Sequence, residues 1–290
     1  MTIIDFHTHV FAPEQIARRD ELLARDRWFG ELYGNPRAPM ATAEELLASM
    51  DRLGITRSVL FSFPWQDSGF LREANDYVFE SAAREVERFV PFVTLHPNSE
   101  GVEEELARSR PVAVGGLGEL MPDGNGYRVS DIEVMRPLAH FAMERGIPLI
   151  VHASEPFGHL YPGKGRTYAE EILALVRAFP ELKVVCAHWG GGLIFYELQP
   201  ELARELVNVY YDTAASCFVY DDRIYRVAAE LCPEKVLFGS DFPVCPVDRQ
   251  LKAVLDAEVP DDLRAGILSG NADRLLARPR GDEAHSVRRS

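Results

Sequence analysis

Two histidines two residues apart, His7 and His9, lie at the end of the first apolar run of this 290-residue chain. Side chains alternate between the two faces of a strand, so Asp5, His7 and His9 are predicted to point the same way. Two imidazoles so placed can bind one ion together, and Zn²⁺ is the preferred ion, with Mn²⁺ or Fe²⁺ as alternatives. Taken alone, the motif is equally compatible with two incidental polar residues at a strand end.

Four further residues that bind metals or carry protons end other predicted strands: Glu119, His152, His188 and Asp241. In a barrel of parallel strands the C-terminal ends form one rim, where active sites of this fold lie. Residues distant in the chain are therefore predicted to converge there. Four of the eight histidines belong to this rim, which favours a metal site over histidines retained for packing.

The elements that must position these residues alternate between short apolar runs and helical patterns, as βα units do. Eight strands are predicted: Thr2–His7, Arg57–Phe63, Phe89–Leu95, Val112–Glu119, Ile147–Ala153, Leu182–His188, Val207–Asp212 and Lys235–Asp241. Eight strands favour a (β/α)8 TIM barrel, with a doubly wound open sheet as the alternative. Helices are predicted between them: Thr42–Leu53, which has a Thr42-x-x-Glu45 capping box and stops at Gly54, Ser130–Arg145 and Tyr168–Phe179.

Two predicted loops are long for a barrel, and long loops tend to be lids or binding segments. One is Phe11–Ala41, after strand 1, whose Trp28, Phe29 and Tyr33 either roof a pocket or pack the loop onto the barrel. The other is Ser154–Thr167, after strand 5. Both are expected to border the active site.

Four side chains are candidates for substrate binding. His159, Lys164 and Arg166 of the second long loop are suited to a substrate carboxylate, Arg by bidentate pairing. Trp65, after the second strand, either walls the pocket or packs beneath the lid. The alternative for the charged loop is a solvated surface segment.

Composition limits the classes of partner. A net charge of −14 would repel nucleic acid, and no apolar run is long enough for a membrane span. The absence of a signal peptide pattern predicts a cytoplasmic location, where the four scattered cysteines would be reduced thiols. Residues 1–277 are expected to form one domain, followed by a charged tail at 278–290, and a homodimer is left open.

The sequence resembles the amidohydrolase superfamily, in the branch that contains aminocarboxymuconate-semialdehyde decarboxylase. The resemblance spans nearly the whole chain and rests on these segments in this order: Ile4-Asp5-Phe6-His7-Thr8-His9, Gly118-Glu119-Leu120, Val151-His152-Ala153, Ala187-His188-Trp189-Gly190-Gly191, Phe238-Gly239-Ser240-Asp241-Phe242-Pro243 and Gly270-Asn271-Ala272.

That resemblance implies one divalent metal bound by His7, His9, His152 and Asp241. It implies that His188 is the unligated base beside a metal-bound water, which Asp241 would also contact. Glu119 is either a further ligand or an acceptor that orients an imidazole. Superfamily members similar to phosphotriesterase use a modified lysine at this position, so a carboxylated-lysine site is not expected. A second metal bridged by Glu119 is left open.

The expected function is metal-dependent hydrolysis of a small ester, lactone or amide that bears a carboxylate or carbonyl, with metal-activated water as the nucleophile. Non-oxidative decarboxylation of a small unsaturated or aromatic acid is the close alternative. A metal-dependent nuclease of the same superfamily is a third hypothesis, which the acidic composition disfavours. A barrel retained only for binding is the non-enzymatic alternative.

Overall fold

Eight parallel strands form one sheet in chain order in the computed structural model, which describes residues 1–98 and 101–277. The strands are β1 (Ile4–His9), β2 (Arg57–Phe61), β3 (Phe89–Val93), β4 (Gly116–Leu120), β5 (Leu149–Val151), β6 (Val184–Cys186), β7 (Val209–Asp212) and β8 (Val236–Leu237). Hydrogen bonds from the amides of Phe6 and His9 to the carbonyls of Phe238 and Phe242, both 2.7 Å, join β1 to the segment after β8. The predicted (β/α)8 barrel is confirmed, and the sequential strand order excludes a doubly wound sheet.

Helices connect the strands and surround the barrel. They are α1 (Pro13–Ala17), α2 (Arg19–Arg25), α3 (Arg27–Tyr33), α4 (Ala43–Leu53), α5 (Ser68–Arg84), α6 (Val102–Ser109), α7 (Pro122–Asn125), α8 (Ile132–Arg145), α9 (Ala169–Ala178), α10 (Pro200–Glu205), α11 (Ser216–Val219), α12 (Arg223–Leu231), α13 (Val247–Asp256), α14 (Asp261–Ala265) and α15 (Asn271–Leu276). A 3₁₀ segment covers His188–Leu198 and a π turn covers Gly266–Gly270. The tail predicted for 278–290 lies outside the described residues.

The start and stop signals of α4 act as predicted. The Thr42 hydroxyl accepts from the Glu45 amide, and the Glu45 carboxylate accepts from the Thr42 amide at 2.8 Å. Gly54 ends the helix with a left-handed φ of 71°, which glycine adopts without the steric cost of a Cβ. The capping box and Gly54 therefore form local signals at both ends of this helix.

A β-bulge in β1 corrects the predicted alternation of side chains. Ile4 and Asp5 pair with Arg57 and Ser58, but Thr8 pairs with Leu60, so β1 has one extra residue. Phe6 consequently packs inside the barrel against Phe92, on the same side as His7, while Asp5 does not share their face. The Asp5 carboxylate instead accepts from the amides of Ser240 and His7.

The two long segments predicted as loops meet above the barrel. The first contains α1, α2 and α3, whose Trp28 and Phe29 are buried in an aromatic cluster with Trp65. The second, which has neither helix nor strand before α9, is held by Asp123, whose Oδ2 accepts from the Arg166 amide at 2.8 Å and from Thr167. A Cβ on Gly163 would lie 2.9 Å from Leu32, so the two segments touch directly.

Two expectations from composition concern the whole chain. None of the helices within residues 1–98 and 101–277 has both the length and the apolar character that crossing a bilayer requires. All four cysteines are free in the structure.

Candidate active site

The two histidines of β1 face each other across the open end of the barrel. Their Nε2 atoms lie 3.2 Å apart, and both rings are buried. The Nδ1 of His7 donates to Asp212 Oδ2 at 2.8 Å, because a carboxylate can only accept. The Nε2 of neutral His7 therefore presents a lone pair toward His9.

Two carboxylates complete this corner of the site. Asp241 Oδ1 lies 3.7 Å from His7 Nε2 and 3.6 Å from His9 Nε2. Glu119 Oε2 lies 3.7 Å and 3.5 Å from the same two atoms. Two imidazole nitrogens and two carboxylate oxygens thus lie within 3.7 Å of one another across these pairs.

The other two rim histidines lie on the far side of Glu119. His152 Nδ1 is 3.1 Å from Glu119 Oε1 and 3.1 Å from His188 Nε2. The remaining ring nitrogens donate to carbonyl groups, His152 Nε2 to Gly163 and His188 Nδ1 to Ala214. The donor atoms consequently form two groups, His7, His9 and Asp241, and Glu119, His152 and His188, which Glu119 joins.

Three of these residues, His152, His188 and Asp241, lie beyond their strands, which corrects the predicted strand ends. His188 and Asp241 have φ values of 55° and 63°, which extended strands exclude, and β6 and β8 end earlier, at Cys186 and Leu237. Left-handed backbone at non-glycine residues is strained and is maintained only where the surroundings require it. The sharp turns aim both side chains into the site.

The glycines after His188 allow this turn to pack closely. Trp189, Gly190 and Gly191 continue the left-handed conformation. A Cβ on Gly191 would lie 2.2 Å from the carbonyl oxygen of Ser154. Only glycine permits this approach between the turn after β6 and the loop after β5, so it fixes His188 against His152.

The metal-free site has a strong preference for positive charge. Burial disfavours a charged His7 ring, but the carboxylates of Asp212 and Glu119 outweigh burial and raise its pKa to about 10. Burial and the neighbouring charge of His7 lower the pKa of His9 to about 4. A proton on one ring thus excludes a proton on the other.

The same balance holds on the other side of the site. Burial opposes charge on His188, yet the hydrogen bond to Glu119 and the charge of Asp241 raise its pKa to about 9. Burial alone would raise the pKa of Glu119, but His7, His152 and His188 hold it well below its usual range. Without a metal ion, protons on His7 and His188 therefore balance the negative charge of the buried Glu119 carboxylate.

These residues fit a divalent metal ion. Three imidazoles have one nitrogen tied to an acceptor and direct the other at the cluster, the arrangement typical of histidine ligands. The Nε2 atoms of His7 and His9 converge to 3.2 Å, close enough for both to bind one ion. Imidazole with carboxylate suits Zn²⁺, Mn²⁺ and Fe²⁺ alike.

A cavity of about 320 Å³ opens above the cluster. Its floor contains His9, Glu119, His152, His188 and Asp241, and its walls come from α3, α11 and the loops after β4, β5 and β8. The wall side chains are mainly apolar: Leu32, Ala38, Pro39, Met121, Pro162, Phe218, Val219 and Val244.

The predicted substrate-binding residues do not all reach this cavity. His159 lines it, together with Tyr33. The Lys164 ammonium is instead engaged with Glu155 at 3.1 Å and with two backbone carbonyls. Arg166 does not line the cavity either.

Trp65 also lies away from the cavity wall. Its side chain is fully buried among Phe29, Phe63 and Phe70, and it therefore supports the lid from beneath. Of the two roles considered for Trp65, the structure places it in the packing role.

Asp212, at the end of β7, contacts more of the site than its sequence position indicated. Its Oδ2 accepts from His7, and its Oδ1 accepts from the amides of His188 and Ala214 at 3.0 Å. The sequence signal for this role was the position of Asp212 at the end of the seventh strand, on the same rim as the other site residues. It orients one candidate metal ligand and the turn that presents His188.

Replacing Asp212 by Asn is expected to weaken metal binding by about 10- to 100-fold, as for other acceptors behind histidine ligands. The amide removes the negative charge that favours the His7 tautomer with a free Nε2. Titration of metal-free protein with Mn²⁺ by calorimetry measures the change. An unchanged metal affinity would contradict the positioning role.

A closed (β/α)8 barrel with buried histidines and carboxylates at the C-terminal ends of its strands defines a class of barrel enzymes in which such clusters bind divalent metals. The chain belongs to the amidohydrolase family, whose model matches residues 4–278. The resemblance seen in the motifs is therefore confirmed.

Relatives with named activities are decarboxylases. A 6-methylsalicylic acid decarboxylase of Penicillium expansum is 27% identical over 192 residues, which cover 54% of this chain and 58% of the relative. The match thus spans little more than half of that protein's length.

Solved structures agree in fold. A 5-carboxyvanillate decarboxylase from Sphingomonas paucimobilis superposes with a TM-score of 0.76 at 19% identity, over 96% of this chain and 99% of that one. A dihydroxybenzoic acid decarboxylase from a Polaromonas species, with bound manganese, superposes with a TM-score of 0.69 at 19% identity, over 95% and 96%.

These relatives contradict the expectation of hydrolysis. The curated relative and the two superposed structures described above are decarboxylases of aromatic acids, so the hydrolase prediction is wrong and its alternative fits better. The sequence-based preference for hydrolysis rested on the expectation of a metal-activated water. A site of metal and histidine can serve hydrolysis or decarboxylation. The motifs identify the superfamily but do not distinguish the bond that is cleaved.

Proposed function

We propose that this enzyme is a metal-dependent, non-oxidative decarboxylase of a small aromatic carboxylic acid. The observation that carries the proposal is a buried metal-type cluster, with His188 beside it, on the floor of a small apolar cavity. The similarity to decarboxylases supports the same conclusion. The reaction converts an aryl carboxylate and a proton into the arene and CO₂.

The geometry of the cluster suggests which residues would bind the metal ion. His7, His9 and Asp241 would hold the ion, with Glu119 and His152 on its other side. A bound divalent ion supplies positive charge that binds the substrate carboxylate and draws electron density from the ring.

His188 is suited to deliver the proton. Its Nδ1 is committed to the Ala214 carbonyl, so Nε2 is the atom that exchanges a proton inside the cavity. When the bond between ring and carboxylate breaks, its electron pair remains on the ring carbon, and the proton on Nε2 can form the new C–H bond. The contact of Nε2 with Glu119 and His152 supplies a route for the next proton.

The walls and lid complete the site by limiting water. Leu32 meets Gly163 above the cavity, and the apolar lining leaves few groups that hold water near the ring. Exclusion of water strengthens the electrostatic interactions within the site. The exclusion of water and the stronger electrostatic interactions would both favour decarboxylation of a bound aromatic acid.

The test is to incubate manganese-loaded enzyme with a panel of hydroxybenzoates in D₂O, 6-methylsalicylate among them. We expect CO₂ release together with deuterium at the ring carbon that carried the carboxylate, measured by mass spectrometry and NMR. Chelator-treated protein is the control and should release no CO₂. Cleavage of aryl esters with no CO₂ from any acid would contradict the proposal.

A further inference from the structure

The side chains that line the cavity limit the number of charges that a bound substrate can carry. Every anionic ligand needs a partner once it leaves water, because an unpaired charge in apolar surroundings is costly. A metal at the floor can partner one carboxylate. Whether the cavity accepts a second carboxylate depends on the side chains above the floor.

No lysine or arginine of residues 1–98 and 101–277 lines this cavity. Two nearby cations are committed elsewhere. The Arg19 guanidinium donates to the carbonyls of Tyr33, Asn35 and Ala38, and thereby holds the lid segment. The Lys164 ammonium is paired with Glu155.

Apolar groups make up most of the cavity wall. Leu32, Met121, Val219 and Val244 come from four different segments of the chain, so apolar surface meets a ligand from several directions. The polar side chains on the walls are Tyr33, Asn35, His159 and Tyr161, none of which carries a fixed positive charge. The Tyr161 hydroxyl already donates to Glu155 at 3.1 Å.

The volume is sufficient for a substituted benzoate. A cavity of about 150 Å³ is enough to hold benzene, and this one measures about 320 Å³. A benzoate with two or three small substituents therefore fits. The protein's net charge of −14 further disfavours a doubly negative ligand.

We infer that the substrate is an aromatic monocarboxylate whose other substituents are uncharged, and that the mainly apolar wall rejects a second carboxylate. The inference rests on the proposed decarboxylase activity and narrows its substrate class. Val219 on α11 is a specificity-determining position, because it lines the cavity without contacting the metal-type cluster.

The experiment compares two probes that differ only at the position opposite the reacting carboxyl group, 2-hydroxy-4-methylbenzoate and 2-hydroxyterephthalate. With manganese-loaded enzyme, kcat/KM for the methyl compound should exceed that for the dicarboxylate by roughly 100-fold or more. Calorimetry should show the same order of binding. Equal turnover of both probes, or tighter binding of the dicarboxylate, would overturn the inference.

A variant pair tests the wall itself. Val219→Arg adds a cation and should raise the ratio of dicarboxylate to monocarboxylate turnover roughly tenfold, whereas Val219→Gln, of similar length but neutral, should not. An equal change in both variants would contradict selection by charge.

The binding data separate the two levels of the proposal. Monocarboxylate binding without CO₂ release would refute the decarboxylase activity but support the wall's selectivity. Binding of neither probe would refute the substrate class.

Discussion

Replacing His188 by Asn is expected to lower kcat for decarboxylation by about 10³-fold, within the range that a positioned acid contributes. Asparagine tolerates the left-handed backbone at this position, where φ is 55°. Its amide can still donate to the Ala214 carbonyl, but it lacks the nitrogen that carries a proton into the cavity.

The measurement is kcat and KM by CO₂ release, together with the manganese content of the purified variant. Metal content and KM should change little, because the candidate ligands His7, His9 and Asp241 remain. His140→Asn, on the exposed face of α8, is the matched control and should retain full activity. A His188→Asn enzyme with near-normal kcat would exclude His188 as the proton donor.

Replacing His7 by Asn is the second change with a large expected effect. The amide can still donate to Asp212, so the buried carboxylate keeps a partner. The lone pair at Nε2, which faces His9, Glu119 and Asp241, is lost. We expect manganese to be lost on dialysis and activity to fall by about 10³-fold, since a metal supplies several kcal/mol of transition-state stabilisation.

Elemental analysis and activity assays on the same sample measure this effect. The thermal unfolding of metal-free wild type and variant should be similar, which separates metal loss from misfolding. Asp241→Asn, on the turn after β8, should show the same loss of metal. Stoichiometric manganese in the His7→Asn protein would refute this corner as the metal site.

The two substitutions differ in what they remove. His7→Asn should be deficient in metal and activity together, whereas His188→Asn should bind metal and substrate but turn over slowly. This difference tests the division of labour between the two groups of donors that Glu119 joins. If both variants lost metal equally, His188 would be a ligand and another group would have to supply the proton.

Much of the architecture was predictable because its signals are local. Apolar runs alternating with helical patterns indicated eight βα units, and all eight strands are present. The capping box of α4 formed between Thr42 and Glu45 as expected. Such signals depend on hydrogen bonds and side-chain periodicity within a few residues, which the tertiary fold seldom overrides.

The convergence of the site residues was also predictable, for a topological reason. Parallel strands in a closed barrel bring their C-terminal ends to one rim, so residues at or just beyond the ends of β1, β4, β5, β6 and β8 become neighbours. The structure brings His7, His9, Glu119, His152, His188 and Asp241 together there. Their metal-binding roles remain predictions that the substitutions above address.

The predictions from sequence differed from the structure where the direction of a side chain depended on contacts with distant segments. The bulge in β1, which separates Asp5 from the histidines, arises from pairing with β2. The residues Trp65 and Lys164 were candidates for substrate contact, but one is packed beneath the lid and the other is paired with Glu155. No local pattern specifies these partners, because they come from other segments of the chain.

The sequence by itself determined the barrel, the family and the set of residues that meet at the rim, since each follows from periodicity, strand number or ordered motifs. Only the tertiary structure decided that the six rim residues divide into two groups joined by Glu119 and that the cavity beside them has a mainly apolar wall. Both features arise from packing between segments far apart in the chain. The orientation of buried side chains is a property of that packing, and the selectivity proposed here depends on it.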